Sequence, residues 1–292
     1  MNKLWLAQLL LLLLSPSVLA QAGNQASKPL NASDLSSAVA GTKTTYLELI
    51  HRIIPDLQID PNDADVAIGH KTIRFKHLSE NKKPPPLESD IKLDSFQPYW
   101  IKSDGRRVLL LELNLSAADA NQGTNYEGEA DIIAAFTMQP IKLLDVMDVK
   151  TDRFSGFYEN PSIFQLTPQS EAFLVSSTHS NAGESYTDLN ILFLNHDRIE
   201  IITNIFLFDT QGCGATFTET PSFQVMPGSS RYPHVLVTVK VKKDADPEEC
   251  DRRTRGYVKT YRALYQWNSP KREYRTNSKQ LAALDKFNRN RL

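Results

Sequence analysis

Residues 176–188 hold the side-chain types of a hydrolytic triad. Ser176, Ser177 and His179 stand close together, and Glu184 and Asp188 follow within a few positions. A hydroxyl, an imidazole and a carboxylate can act as nucleophile, base and orienting group. Such triads assemble in space rather than in sequence, and no G-x-S-x-G elbow is present. His179, Glu184 and Asp188 are therefore candidate catalytic residues, with an ordinary polar strand end as the alternative.

A polar loop at residues 119–131 carries side-chain oxygens of the kind that Ca²⁺ binds. The candidate ligands are Asp119, Asn121, Glu127, Glu129 and Asp131. The EF-hand order fails, because Thr124 stands where Gly is required and Ala130 stands where the closing Glu is required. An ordinary hairpin loop is the alternative. The histidines lack zinc-binding spacings and no Gly-rich phosphate loop occurs, so we expect no cofactor.

Cys213 and Cys250 are the two cysteines of the chain. In an oxidising compartment, an isolated pair favours one disulfide, which would stabilise the fold by about 3–4 kcal/mol in the chain-entropy model. Neither cysteine belongs to a C-x-x-C motif, and no histidine lies close to either in sequence. A metal site and a nucleophilic thiol are the alternatives.

Alternate residues near the C-terminus form an aromatic ladder that could bind a ligand. Its members are Tyr257, Lys259, Tyr261, Tyr265 and Trp267. An exposed ladder would suit stacking on sugars or contact with an anionic polymer. A buried ladder would belong to the core of a sheet. Lys259 indicates that at least one end of the ladder meets water.

The N-terminal residues 1–20 have the pattern of a secretory signal peptide. Lys3 precedes an apolar run over residues 4–14, and Val18-Leu19-Ala20 supplies the small residues of a cleavage site. No second long apolar run follows, so we expect no membrane span. The pattern predicts export to the periplasm or the extracellular space after cleavage near Ala20. A cytoplasmic protein with a buried first helix is the alternative.

The charge of the chain is small overall but uneven along its length. The formal net charge is −1 and falls to −2 when the segment with Lys3 is removed, which argues against nucleic acid binding. The segment from Arg252 to Leu292 contains twelve Lys or Arg residues but only two acidic residues, Glu273 and Asp285. This basic C-terminal segment could contact an anionic envelope component. A solvated surface balanced by acidic neighbours is the alternative.

The mature chain is predicted to form one domain over residues 44–292. Residues 21–43 are rich in Ala, Ser, Asn, Gly and Gln and predict a flexible leader. Helical spacing of apolar residues predicts a helix over 45–54, capped by Thr44 or Thr45, and another over 278–290. Period-two patterns predict strands between them, including one at 91–101 that is interrupted at Pro98.

A pattern of about sixty residues repeats over residues 90–275. Its first strands lie at 108–113, 172–177 and 234–239, and each is followed by a polar loop and further strands. Such antiparallel meanders resemble the blades of a β-propeller. About two and a half copies are visible, whereas propellers have at least about four blades. The fold class predicted is therefore mainly β, with propeller-blade-like or sandwich-like meanders and a helix near each end.

These features predict an exported, non-catalytic binding or structural protein of undefined ligand. The alternative is a secreted hydrolase that uses His179 with nearby acidic residues. Binding is favoured because no complete catalytic or metal-binding motif is present.

The disulfide can be tested by intact mass. The exported protein, alkylated without reduction, should carry no modified cysteine, and its mass should rise by two alkyl groups only after reduction, because each disulfide holds two thiols. Two thiols that react without reduction would refute the Cys213–Cys250 bond and weaken the expectation of export.

Overall fold

The computed structural model describes residues 28–78, 90–118, 130–152, 154–159, 162–181, 183–212, 215–228, 231–245 and 255–291. This part of the chain is mainly β, with a short 3-10 helix at Ala32–Asp34 and two α-helices. Helix α1 spans Tyr46–Ile50 and α2 spans Gln280–Arg289. The predicted fold class, with antiparallel meanders and a helix towards each end, is confirmed.

The strands form two sheets. The seven-stranded sheet has the order β1-β2-β4-β5-β6-β7-β3. Its strands are β1 (Gln58–Asp60), β2 (Asp63–Gly69), β3 (Lys76–His77), β4 (Ile91–Ser103), β5 (Arg106–Ala117), β6 (Ala130–Met138) and β7 (Ile141–Asp148).

The nine-stranded sheet has the order β16-β15-β14-β13-β12-β11-β10-β8, and β9 also pairs with β10. Its strands are β8 (Phe154–Phe157), β9 (Ile163–Thr167), β10 (Ser170–Asn181), β11 (Glu184–Asn195), β12 (Arg198–Gly212), β13 (Ala215–Met226), β14 (His234–Ala245), β15 (Tyr257–Asn268) and β16 (Glu273–Arg275).

Most strands of the two sheets belong to three antiparallel meanders of four strands each, one in the first sheet and two in the second. Meander 1 is β4–β7, meander 2 is β9–β12 and meander 3 is β13–β16. The strand segments predicted at 108–113, 172–177 and 234–239 lie in β5, β10 and β14, the second strand of each meander. The equivalence of the three segments as sequence repeats stays a prediction.

Side chains from both faces of the meanders make the cores. Leu109, Leu111 and Leu113 of β5 pack with α1 in one core, while Val108 and Leu110 face meander 2 in another. A third core lies between meanders 2 and 3 and takes in α2. Burial on both faces explains why β5 is apolar at consecutive positions rather than at alternate ones.

The expected flexible leader is wrong for residues 28–43. Leu30 forms a bridge to Phe96 of β4, and Ala32, Leu35 and Val39 are buried in the core with α1. A few well-placed apolar side chains therefore anchor a segment whose average composition is polar.

Both predicted helices are shorter in the structure. Residues 51–54 continue α1 only as turns, and Thr45 and Glu48 cap its start reciprocally. Helix α2 begins after Lys279, whose side chain makes no capping hydrogen bond. Of the two predicted caps, Asn277 and Ser278, the second accepts the N–H of Gln280 on its Oγ at 3.3 Å. Strand β4 continues through Pro98 without a break. Proline is tolerated there because β4 lacks a strand partner on its outer side at that point.

Strands β12 and β13 separate soon after their hairpin. They pair only over residues 210–212 and 215–217, although β12 extends back to Arg198. Unpaired backbone groups inside a protein are costly, and side chains replace the missing strand. The amide of Asn288 in α2 donates to the Phe206 carbonyl at 2.9 Å, and the Phe208 N–H donates to Glu219 Oε2 at 3.2 Å.

Arg291 completes this arrangement, which we call the β12–β13 clasp (Glu219, Asn288 and Arg291). Its Nη2 donates to Glu219 Oε1 at 2.7 Å, and the Glu219 side chain is 0% exposed. Its guanidinium lies 4.4–4.8 Å from the ring centres of Phe208, Phe217 and Phe287. Burial raises the pKa of Glu219, and hydrogen bonds from Asn288 and Phe208 and the charge of Arg291 oppose that rise.

The clasp predicts a large stability effect for Arg291→Met. The substitution keeps most of the packing volume but leaves the Glu219 carboxylate buried without its cation. We expect the free energy of unfolding to fall by about 3 kcal/mol, which urea denaturation would measure.

Lys286→Met is the matched control, because Lys286 is an exposed residue of α2, the helix that ends just before Arg291. It should change the free energy of unfolding by less than about 0.5 kcal/mol. Equal effects of the two substitutions would show that the clasp does not stabilise the fold.

Candidate functional site

The connections at one end of the meanders contact each other, whereas two of those at the other end are long. At the turn end, the β4–β5 turn contacts the β9–β10 and β11–β12 turns of meander 2. Gly105 (φ +76°) donates its N–H to the Gln169 carbonyl at 2.8 Å, and Arg106 pairs with Asp197 at 2.6 Å. The other end, which we call the loop end, carries the β5–β6, β10–β11, β12–β13 and β14–β15 connections. Most of the predicted site residues that the structure describes lie at or near the loop end.

His179 lies at the loop end of β10 in a compact polar group. Its Nδ1 is 3.1 Å from Asp152 Oδ1, and the Tyr186 hydroxyl donates to the other oxygen of Asp152. Tyr186 is the direct cross-strand neighbour of His179, and their rings stack at 5.1 Å. Asp152 belongs to the connection between β7 and β8, so sequence proximity gave no sign of it.

The two acidic residues predicted to assist His179 lie elsewhere. Glu184 is exposed and pairs with Asn181 at the hairpin tip. Asp188 lies opposite Ser177 and hydrogen-bonds with Asn204 and Thr151. Burial is the main cause that raises the pKa of Asp188, and the charge of Arg289 opposes the rise. The structure therefore gives His179 a different carboxylate partner from the ones predicted.

The Ser177 hydroxyl, which stands two residues before His179, is already hydrogen-bonded. Ser177 is fully buried, and its Oγ lies 2.6 Å from Ser155 Oγ and accepts the Thr151 N–H at 3.1 Å. A neutral His179 that donates Nδ1–H to Asp152 keeps Nε2 as an acceptor. The pair can thus hold or move a proton, but Ser177 is not positioned as an accessible nucleophile.

The candidate calcium loop lies mostly outside the described residues. Asp119, Asn121, Glu127 and Glu129 are not described. Asp131 is buried near the start of β6, with its N–H 3.3 Å from Asp148 Oδ1. Within the described ranges, no cluster of three or more His, Cys, Asp or Glu residues could hold a metal ion.

Cys213 and Cys250 also lie outside the described residues, so their bond stays a prediction. The strands that flank them are adjacent. Ala215, which follows the β12–β13 hairpin, pairs with Ala245, the last residue of β14. The strands β13 and β14, each of which adjoins one of the two cysteine-bearing connections, are therefore neighbours at the loop end.

The aromatic ladder is divided between core and surface. Tyr261 and Tyr265 are buried, and Trp267 stacks on Tyr232 with 4.1 Å between ring centres. Tyr257 is 39% exposed, and the exposed Lys259 places its Nζ 4.6 Å from the centre of the Tyr261 ring. Only the Tyr257–Lys259 end can meet a large ligand.

The outer face of β13, β14 and β15, opposite the face that carries the aromatic ladder, is polar and basic. Valines at alternate positions of β14 point into the core, so Lys240 and Lys242 point outwards. With their exposed neighbours they form what we call the basic sheet face: Thr218, Thr220, Ser222, Gln224, Lys240, Lys242, Thr260 and Arg262. Lys242 pairs with Asp244 at 2.7 Å, whereas Lys240 and Arg262 form no ion pair within the described residues. The sequence indicates a basic C-terminal segment through its charge, and the alternation of Val and Lys in β14 is the local pattern that marks this face.

A buried carboxyl group joins meander 1 to β8, the strand that pairs with β10 of meander 2. Glu112 of β5 is 4% exposed and accepts the backbone N–H of Phe157. A Cβ on Gly156 would lie 2.6 Å from Glu112 Oε1, so this close approach requires glycine. Burial, followed by the charge of Asp131, raises the pKa of Glu112 to about 8.

No protein-family model, curated protein or solved structure matches this chain. None of the helices in the described ranges is long and apolar enough to cross a membrane.

Glu112 predicts a specific dependence of stability on pH. Its pKa is about 8 in the folded protein against 4.5 when unfolded, so the folded state binds the proton more tightly. The stabilisation is complete below pH 4.5 and is lost as the pH rises towards 8. The free energy of unfolding of the wild-type protein should therefore fall between about pH 5 and pH 8. In Glu112→Gln this fall should be smaller by about 2–4 kcal/mol.

Urea denaturation at several pH values would measure this difference. Glu184→Gln removes an exposed carboxylate and should leave the pH dependence of stability unchanged. An unchanged pH dependence in Glu112→Gln would contradict the prediction.

Proposed function

We propose that this protein is an exported, non-catalytic binding protein that holds an anionic polymer on its basic sheet face. The observation that carries the proposal is the pair of exposed cations, Lys240 and Arg262, that have no ion-pair partner within the described residues. Expected export supports the proposal because polymers with repeated phosphate or carboxylate groups occur outside the cytoplasm.

The spacing of the face suits repeated anionic groups. Lys240 and Lys242 are two residues apart on β14, which separates their Cα atoms by about 7 Å, and neighbouring strands lie about 4.8 Å apart. Arg262 on β15 is opposite Thr238, diagonal to Lys240. The surrounding Thr and Ser hydroxyls can donate further hydrogen bonds to phosphate or carboxylate oxygens. Several weak contacts of this kind add up along a polymer.

The His179 group gives less support to hydrolysis than this face gives to binding. His179 has an orienting carboxylate in Asp152, but the Ser177 hydroxyl is buried and already hydrogen-bonded. Cations on an exposed sheet need no further rearrangement to attract a polyanion.

Long-chain polyphosphate is a suitable first probe. We expect measurable binding at low salt that weakens steadily as the salt concentration rises, because each contact releases bound counterions. The double substitution Lys240→Glu/Arg262→Glu should weaken the binding at least about tenfold, measured by fluorescence anisotropy of labelled polyphosphate.

Lys142→Glu is the control, since Lys142 is an exposed cation of β7 in the other sheet. It should weaken the binding less than about twofold. The proposal fails if both variants lose affinity equally, or if the wild-type protein does not bind polyphosphate at low salt.

A further inference from the structure

Strand β15 has an open edge next to its exposed aromatic end. It pairs with β14 in an uninterrupted register over residues 257–265, but with β16 only over residues 266–268. The backbone groups of alternate residues in an antiparallel strand point to opposite sides. The open edge therefore consists of the outward N–H and C=O groups between residues 257 and 265.

Two side chains at or just before the start of α2 show which backbone groups of β15 point away from β14. The Arg262 N–H donates to Gln280 Oε1 at 2.7 Å, and the Arg262 carbonyl accepts the Ser278 hydroxyl at 2.8 Å. By alternation, the N–H and C=O groups of Val258 and Thr260 point to the same side. They have no hydrogen-bond partner within the described part of the chain. The outward backbone groups of β15 are thus hydrogen-bonded at Arg262, whereas those of Val258 and Thr260 can accept a further strand.

The open segment also exposes apolar surface. Val258 is 58% exposed and Tyr257 is 39% exposed, and Phe154 is the other large hydrophobic residue recorded as exposed within the described ranges. Exposed apolar side chains beside unpaired backbone groups are the surface to which an extended chain adds as a further strand.

Among the described residues beside this edge, the charges on both faces of the sheet are positive except for Asp244, which pairs with Lys242. Lys259 lies on the inner side, Arg262 lies on the outer side, and Lys240 and Lys242 stand one strand further in. Arg255 precedes the strand and is exposed. A strand with carboxylates on both faces would complement these cations, whereas a basic strand would be repelled.

We propose that the β15 edge over residues 257–260 binds an extended acidic segment of a partner protein by strand addition. A second copy of this chain fits less well, because antiparallel pairing of β15 with itself would bring Lys259 and Arg255 of both copies together. This site uses the backbone edge of β15, whereas the proposed function uses side chains of the basic sheet face. Thr260 belongs to both, and the cations of the face lie beside the edge.

A synthetic eight-residue peptide with two Val-Val-Glu-Glu repeats is the probe, because this order places carboxylates on both faces of a strand. We expect it to bind the full mature protein at least tenfold more tightly than the same peptide with Lys in place of Glu. Isothermal titration calorimetry would give both affinities.

Val258→Pro provides the decisive variant. Proline removes the outward N–H of Val258 but no hydrogen bond to β14, and proline is tolerated at such edge positions. Peptide affinity should fall at least tenfold, while binding of polyphosphate should change less than twofold, because no charge is altered. Circular dichroism and the denaturation midpoint would show that the variant keeps its fold.

Three results would overturn the proposal. The Val258→Pro variant could bind the acidic peptide as well as the wild-type protein does, or the Lys peptide could bind as tightly as the Glu peptide. Finally, a peptide-free wild-type dimer that becomes monomeric in Val258→Pro, seen by analytical ultracentrifugation, would assign the edge to a second copy. A wild-type protein that binds the Glu peptide but does not bind polyphosphate would contradict the proposed function alone.

Discussion

The separation of β12 from β13 is the feature on which the arrangement of the second sheet depends. Once the strands diverge, the backbone of β12 needs partners that β13 no longer provides. Glu219 and Asn288 supply them, and Arg291 neutralises the buried carboxylate of Glu219. The last turn of the chain thereby takes part in the core. A buried ion pair of this kind fixes one geometry, because removal of either partner leaves an uncompensated polar group.

This geometry determines where the candidate binding surfaces lie. Helix α2 crosses from Arg262 on β15 to Phe206 on β12 and covers the core between meanders 2 and 3. The inner side of meander 3 is thus used for folding, whereas its outer side and the open edge of β15 remain exposed. Meanders 1 and 2 share another core and are joined at the turn end, so candidate ligand contacts concentrate at the loop end and on meander 3.

The His179 group illustrates the limits of reasoning from sequence proximity. His179, Glu184 and Asp188 are close in sequence, but hairpin geometry places Tyr186 beside His179 and leaves Glu184 at the tip. Asp152 reaches His179 from a different connection. The leader shows the opposite effect, because three buried side chains, Ala32, Leu35 and Val39, outweigh a polar composition. Both errors come from contacts between distant parts of the chain, which local patterns do not encode.

The amino-acid sequence by itself determined the fold class, because strand and helix periodicities are local consequences of backbone geometry. It also predicted most of the long strands and indicated that one end of the aromatic ladder of β15 is exposed to water. Only the tertiary structure decided the partner of His179, the buried state of Glu112, the clasp at Glu219 and the exposed side of β14 and β15. These depend on which strands become neighbours and where they part, and that outcome is set by packing among residues far apart in sequence.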